Sequence, residues 1–280
     1  MNTLWKAAGA AAWGAVSFDG LLPFLSTEAE KRMRTLCPEP GGIWVAAFSY
    51  YAGRAPGNLS LYCRGQDYHQ VLLRRMETIC AELRIRYPTN QFLPGTDNSP
   101  IPEQTAAILA GLGERGLHHL LIVPPYGSYL FLGTILTDLP IKTTFKKQNA
   151  ICHRCGLCQK ACPTGALDSG FAANRCLSHI TQKKGELSEE EAAFVAKSPT
   201  IWGCDICQNI CPLNREASLS PLPEFREDLI PCLKEDELSS LSNRQFAAQY
   251  GDRAFSWRGP APLRRNLKLK DERSFRESKI

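Results

Sequence analysis

Eight of the 12 cysteines in this 280-residue chain fall between Ile151 and Asn214. The first group reads Cys152-His-Arg-Cys155-Gly-Leu-Cys158-Gln-Lys-Ala-Cys162-Pro163 and the second Cys204-Asp-Ile-Cys207-Gln-Asn-Ile-Cys211-Pro212, with Cys176 alone between them. Thiols at this density bind metal or do redox chemistry. Four-thiolate zinc sites use paired Cys-x2-Cys hooks separated by longer loops, and a triple repeat closed by Cys-Pro does not divide into such pairs.

Cys-x2-Cys-x2-Cys-x3-Cys-Pro is the bacterial ferredoxin spacing. Three cysteines two residues apart wrap three corners of one four-iron cube, and the fourth reaches the neighbouring cube. With the second group used reciprocally, Cys152, Cys155, Cys158 and Cys211 hold one [4Fe-4S] cluster, and Cys162, Cys176, Cys204 and Cys207 the other. His153 is left as a bystander. Cys37, Cys63, Cys80 and Cys232 read as buried thiols. Clusters of this kind move single electrons and break no bonds, so the upstream residues should hold a second cofactor or a substrate. They contain no Gly-x-Gly-x-x-Gly turn and no Gly-x4-Gly-Lys-Ser/Thr loop, so neither a Rossmann dinucleotide site nor a P-loop is indicated.

Those residues must supply a scaffold. Ile43 to Tyr50 is a short apolar run fenced by glycines, a buried strand. Leu72, Met76, Ile79, Cys80 and Leu83 recur at helical spacing after His69. Pro88 to Pro102 reads as a turn-rich connection, Glu103 to Leu112 as a helix, and Leu120–Val123 and Tyr129–Leu139 as strands. The polar stretch Lys142 to Asn149 suggests a boundary. Downstream, Ser188-Glu-Glu-Glu191 is a capping box, Glu235 to Gln249 reads as a helix, and the basic tail from Arg253 as solvated surface. The expected class is α+β, with an α/β domain over 1–145, a double-cluster domain over 146–218 and a mostly helical basic segment over 219–280.

A 44% hydrophobic and 22% charged composition excludes disordered and fibrous classes, and the net charge of +5 permits a polyanionic partner without requiring one. The first apolar run, Ala7 to Val16, is broken by Gly9 and Gly14 and is too short to span a bilayer; it reads as a buried helix leading into a strand. No membrane association is expected. Reduced thiols at this density point to the cytoplasm.

Six motifs occur in an order that resembles the epoxyqueuosine reductase family: Gly65-Gln-Asp-Tyr-His69, Asp97-Asn-Ser-Pro100, Ala110-Gly-Leu-Gly113, Tyr126-Gly-Ser-Tyr-Leu-Phe-Leu-Gly133, Cys176-Leu-Ser178 with Lys184-Gly185, and Gly203-Cys-Asp-Ile-Cys-Gln208. The resemblance runs from about Ile43 to Asn266. It implies a nitroreductase-like α/β domain that binds cobalamin, fed with electrons by two [4Fe-4S] clusters, and reduction of the epoxide of epoxyqueuosine in tRNA. By the same carry-over Asp97 is the proton donor, kept protonated by burial beside the corrinoid. Cys63, Asp97, Leu121, Tyr126, Gly127, Ser128, Leu132 and Ser178 lie at the cofactor, and Lys184 on the RNA side. A low-potential donor such as ferredoxin or flavodoxin, and a monomer, are expected.

The chain departs from that family at Gly113-Glu-Arg-Gly-Leu117-His118, where typical members read Gly-Trp-x-Gly-Lys-Asn. His118 and His119 read as surface residues or as the lead-in to a strand. Two other readings use the same residues: a corrinoid and iron-sulfur reductase of a small molecule, as in the reductive dehalogenases, or an electron-transfer protein without corrinoid.

Overall fold

The computed structural model describes residues 2–143 and 150–277, with side chains as far as Lys270. Helix α1 (Asn2–Ala7) ends at Gly9, whose φ of +82° reverses the chain into strand β1 (Ala12–Ser17). The run from Ala7 to Val16 thus follows the helix-into-strand order expected, with the helix lying earlier, over Asn2–Ala7, and the strand filling its second half. Next come α2 (Phe18–Leu21), α3 (Thr27–Leu36), β2 (Gly42–Ser49), α4 (Tyr68–Arg86), β3 (Phe92–Gly95), α5 (Glu103–Leu109), the two-residue strands β4 (Glu114–Arg115) and β5 (Leu121–Ile122), and β6 (Leu130–Thr137).

β1, β2, β6 and β3 form one antiparallel sheet in that order. Alternation along β2 sends Val45 and Ala47 to a core with α5, and Ala46 and Phe48 to a core with α4. The α4 stripe packs as its spacing predicts, with Leu72, Met76, Ile79, Cys80 and Leu83 all buried. Gly133 allows the close approach of α4, since a Cβ there would lie 3.1 Å from the Met76 sulfur. β3 falls inside the stretch expected to be turns; Pro94 is tolerated because β3 is an edge strand.

The second half is built from short helices: α6 (Leu157–Ala161), α7 (Leu177–Thr181), α8 (Glu189–Lys197), α9 (Ile206–Asn209), α10 (Glu235–Ser239), α11 (Asn243–Tyr250) and α12 (Ala261–Glu277). The Ser188–Glu191 capping box forms. The single helix expected over Glu235 to Gln249 is two, because Ser242 and Gln245 make a second capping box that starts α11 afresh. The basic tail is not simply solvated surface. Arg264 donates to the Leu238 and Leu241 carbonyls, Arg265 to those of Lys183 and Gly185, and Asn266 to those of Thr181 and Ile201. Of these carbonyls, those of Leu238 and Thr181 lie in the last turns of α10 and α7, where helix carbonyls are left open. Of the expected boundary at 142–149, residues 144–149 lie outside the described residues.

A buried polar seam ties the cysteine segment to the sheet. The Asn214 carboxamide accepts the Ser128 N–H at 2.8 Å and donates to Ser128 Oγ and to the Gln208 carbonyl, both at 2.8 Å. Gln208 Nε2 donates to the Ser128 carbonyl at 2.9 Å, and Tyr50 meets the Gln208 carboxamide at 3.2 Å. Gly127, at φ +63°, leaves room for this: a Cβ would lie 2.1 Å from Asn214 Oδ1. Asn214→Ala is expected to lower thermal stability, by about 1–3 kcal/mol for each buried group left unpaired, as read by denaturant melts.

Candidate functional site: two thiol-lined cavities

Between the sheet and the cysteine segment lies a cavity of about 540 Å³. The sheet side contributes Tyr50, Ser128, Leu130 and Phe131, and the segment between β2 and α4 contributes Ser60 and Tyr62. Cys162, Cys176, Cys204 and Cys207 stand on its other wall with Ser178. A second, much smaller cavity is lined by Cys152, Cys155, Cys158 and Cys211. The eight thiols thus separate into the two fours expected from spacing. All twelve cysteines are free, but Cys232 is exposed and not buried as expected, because its neighbour Leu233 takes the core position. Among the described residues, no three His, Cys, Asp or Glu side chains gather tightly enough to hold a single metal ion.

Short local devices position the thiols. Gly156, at φ +73°, turns the chain into α6, which carries Cys158. Glu114 Oε2 accepts the N–H groups of Ile151 and Cys152 at 2.5 and 2.9 Å, and its other oxygen lies 3.7 Å from Arg154. The departure from the family pattern at Glu114 thus fastens the start of the first cysteine loop. Asp205, buried between Cys204 and Cys207, accepts from Ser60 Oγ at 2.6 Å and from the Leu61 N–H at 2.8 Å, fastening the second. Burial pushes up the thiols of Cys158, Cys176, Cys204, Cys207 and Cys211, with Cys204 reaching about 12. Such thiols ionise only against a strong positive charge.

The remaining expected site residues divide. Ser128 and Ser178 are on the wall of the larger cavity. Leu121 and Leu132 are core residues one position removed from the wall residues Leu120 and Phe131. Cys63 is buried and donates to the Ser60 carbonyl at 3.1 Å. Gly127 borders a separate cleft and Tyr126 is half-buried. Lys184 lines an open cleft with Trp257 and Arg258, which shares Phe171, Cys176 and Ser178 with the larger cavity. Sequence reasoning missed Tyr50, Tyr62, Gln104, Arg115 and Gln208 on the wall; Gln208 closes a quoted motif, while the others carry no local signal.

Asp97 does not line the cavity and sits at φ +55°, a strained backbone for a non-glycine residue. Its Oδ2 accepts from Tyr68 Oη at 2.9 Å and meets His69 Nε2 at 3.0 Å. His69 Nδ1 is 2.7 Å from Asp67, the residue that caps α4. The hydrogen bond from His69 holds the Asp97 carboxyl below the usual carboxylate range despite partial burial. Hydrogen bonds to Asp67 and Asp97 raise His69 to about 9. The Asp97 side chain is 56% exposed, and the hydrogen bonds that lower Asp97 and raise His69 favour a proton on His69 over one on Asp97, so burial in this arrangement does not keep Asp97 protonated. Glu103, whose carboxylate accepts the Asp97 N–H at 2.8 Å, is pushed up to about 8 by burial.

His118, expected at the surface or as the lead-in to a strand, precedes β5 but is 4% exposed and lines both cavities. Burial lowers its imidazole to about 4.

A family model described as "4Fe-4S double cluster binding domain" matches residues 151–214, and one described as "Epoxyqueuosine reductase QueG, DUF1730" matches residues 31–97. The chain is 36% identical over 266 residues to the epoxyqueuosine reductase of Bacillus cereus, covering 88% of this chain and 68% of that one. The chain belongs to the epoxyqueuosine reductase family. A crystal structure of an epoxyqueuosine reductase with an epoxyqueuosine-modified tRNA-Tyr stem loop superposes with a TM-score of 0.83 at 28% identity, over 96% of this chain and 80% of that one. A second, from Bacillus subtilis, gives a TM-score of 0.81 at 28% identity over the same shares, and is described as having its catalytic aspartate loop swung out of the active site. The likeness carries the expected mixed helix-and-sheet fold. Among the described residues, no helix is long and apolar enough to cross a membrane.

Proposed function

We propose that the chain reduces epoxyqueuosine in tRNA to queuosine, with cobalamin in the larger cavity and a [4Fe-4S] cluster on each set of four cysteines. The observation that carries this is the shared wall: four thiols face Tyr50, Tyr62, Ser128 and Phe131 across one space of about 540 Å³. The donor set fits. Eight thiols in two fours, all but the exposed Cys155 buried or half-buried, suit two cubes, and an apolar slot with a few polar groups suits a flat macrocycle. Reduced cobalt supplies a strong reductant or nucleophile for opening the epoxide.

The chain's own residues do the rest. Conversion of epoxide to alkene and water takes two electrons and two protons. Asp97 is the proton donor, resupplied by His69, which Asp67 orients. Tyr68 remains a donor because burial and Asp97 push its phenol up. The catalytic aspartate loop described as swung out of the active site in the Bacillus subtilis enzyme supports an Asp97 loop that moves into and out of the cavity. Ser178 would touch the corrinoid from the cluster side and Ser128 from the sheet side. Cys155, Leu157 and Ile210 are exposed beside the smaller cavity, a face suited to a low-potential donor such as ferredoxin or flavodoxin. We read the chain as a cytoplasmic monomer.

The open cleft is the RNA side. Trp257 is 60% exposed, the Arg258 guanidinium lies 3.8 Å over its indole, and its Nε1 donates to Gln182 at 3.3 Å. An exposed aromatic under a cation is a platform for an unpaired base. Exposed Lys184 sits on the loop that Arg265 holds from below. Trp257→Ala is expected to weaken binding of an anticodon stem-loop roughly five- to 150-fold, from about 1–3 kcal/mol of stacking. Lys184→Ala should instead lower the salt slope by about one unit. Fluorescence anisotropy of a labelled stem-loop reads both.

The deciding experiment is anaerobic incubation with epoxyqueuosine-containing tRNA, cobalamin and a low-potential reductant, followed by nucleoside mass spectrometry. Queuosine should accumulate. Its absence with a fully iron-loaded protein would sink the reading.

A further inference from the structure

His118 is held in one tautomer by the hairpin that carries it. Its Nδ1 accepts the Leu120 N–H at 3.2 Å, so the neutral ring carries its proton on Nε2. That N–H is buried and has no partner among the described residues. Buried donors are almost always paired, so an orphan of this kind calls for an acceptor from outside the polypeptide. The ring lies on the wall of the small cavity with Cys152, Cys155, Cys158 and Cys211, and the other imidazole there, His153, is exposed.

The placement is built by the chain around it. Gly116 allows the ring to lie against the backbone, since a Cβ there would meet His118 Cε1 at 2.8 Å. His119, at φ +61°, turns the chain back at once toward β5. At the far end of the same hairpin, Glu114 grips the Ile151 and Cys152 N–H groups. Hairpin and first cysteine loop are therefore one unit, and His118 keeps a fixed place beside that cavity.

We propose that His118 Nε2–H donates a hydrogen bond to a sulfur of the cluster held by Cys152, Cys155, Cys158 and Cys211, and raises its reduction potential. This rests on the two-cluster reading above. A hydrogen bond to cluster sulfur stabilises the more negative, reduced state, and such bonds are among the determinants of cluster potential. His118 is a positioning and tuning residue here, not a catalytic one.

The test is an EPR-monitored redox titration of the anaerobically reconstituted full chain, without corrinoid or RNA. His118→Leu, which removes the donor, should move one cluster to a lower potential and leave the other in place. His118→Asn, which keeps an N–H donor, should stay nearer the parent protein. Pulsed EPR in deuterated buffer should show an exchangeable proton coupled to the same cluster in the parent and lost in the leucine variant. Should His118→Leu fail to take up iron, the parent's proton coupling and the asparagine variant decide. Full iron loading with unchanged potentials, or a shift of the other cluster alone, overturns the hydrogen bond and leaves the two-cluster reading intact. A parent protein that takes up no iron overturns both.

Discussion

Cys207→Ala should reduce bound iron from about eight to about four per chain and abolish reduction of the RNA. Cys207 stands on the wall of the larger cavity, so the cluster lost is the one facing the corrinoid, and electrons entering at the other have no relay. The division into two fours makes a sharper demand. Cys162→Ala combined with Cys207→Ala should lose no more iron than either alone, whereas Cys158→Ala combined with Cys207→Ala should lose both clusters. Iron analysis with EPR distinguishes these cases, and Cys232→Ala, exposed and away from both cavities, should retain its full complement. If the pair Cys162 and Cys207 behaved as residues of different clusters, the ligand sets would have to be redrawn.

Asp97→Asn is expected to lower turnover by roughly 10²–10⁴-fold, the usual worth of a positioned proton donor, without changing RNA affinity. The pH profile identifies the reservoir behind it. The His69 pKa is raised to about 9, so its ion pairing with Asp67 and Asp97 is complete below the ordinary imidazole value and is lost as pH rises through about 9. Asp97 is depressed, so its contribution is present above the ordinary carboxylate value and is lost as pH falls through its own lower one. Activity should therefore fall on the alkaline side near 9, and His69→Gln should remove that limb. Undiminished turnover in Asp97→Asn would assign the proton to another group.

What could be read beforehand follows from where the determining forces act. Thiol spacing is a local constraint, and the two sets of cysteines meet in two cavities as their spacing implies. The α4 stripe and the Ser188 capping box are equally local. Asp97 was legible as a motif residue, but its ionisation depends on Tyr68 and His69, brought in from α4 across the sheet edge. The same limit hid the role of the 114–118 segment. As a string it is a departure from the family; in three dimensions Glu114 grips the first cysteine loop and His118 is buried between the cavities. The basic tail misled for a related reason, since nothing in Arg264-Arg265-Asn266 announces that its partners are carbonyls some 20 to 85 residues upstream.

The seam of Tyr50, Gln208, Ser128 and Asn214 has a kinetic consequence. It joins the wall that carries Cys204 and Cys207 to the wall that carries Ser128 without an intervening hinge. With a cluster held by Cys204 and Cys207 and a corrinoid against Ser128, the gap an electron would tunnel would be set when the chain folds. Raising solvent viscosity should slow the arrival of the donor and the exchange of RNA, while the internal hop from cluster to cobalt keeps its rate.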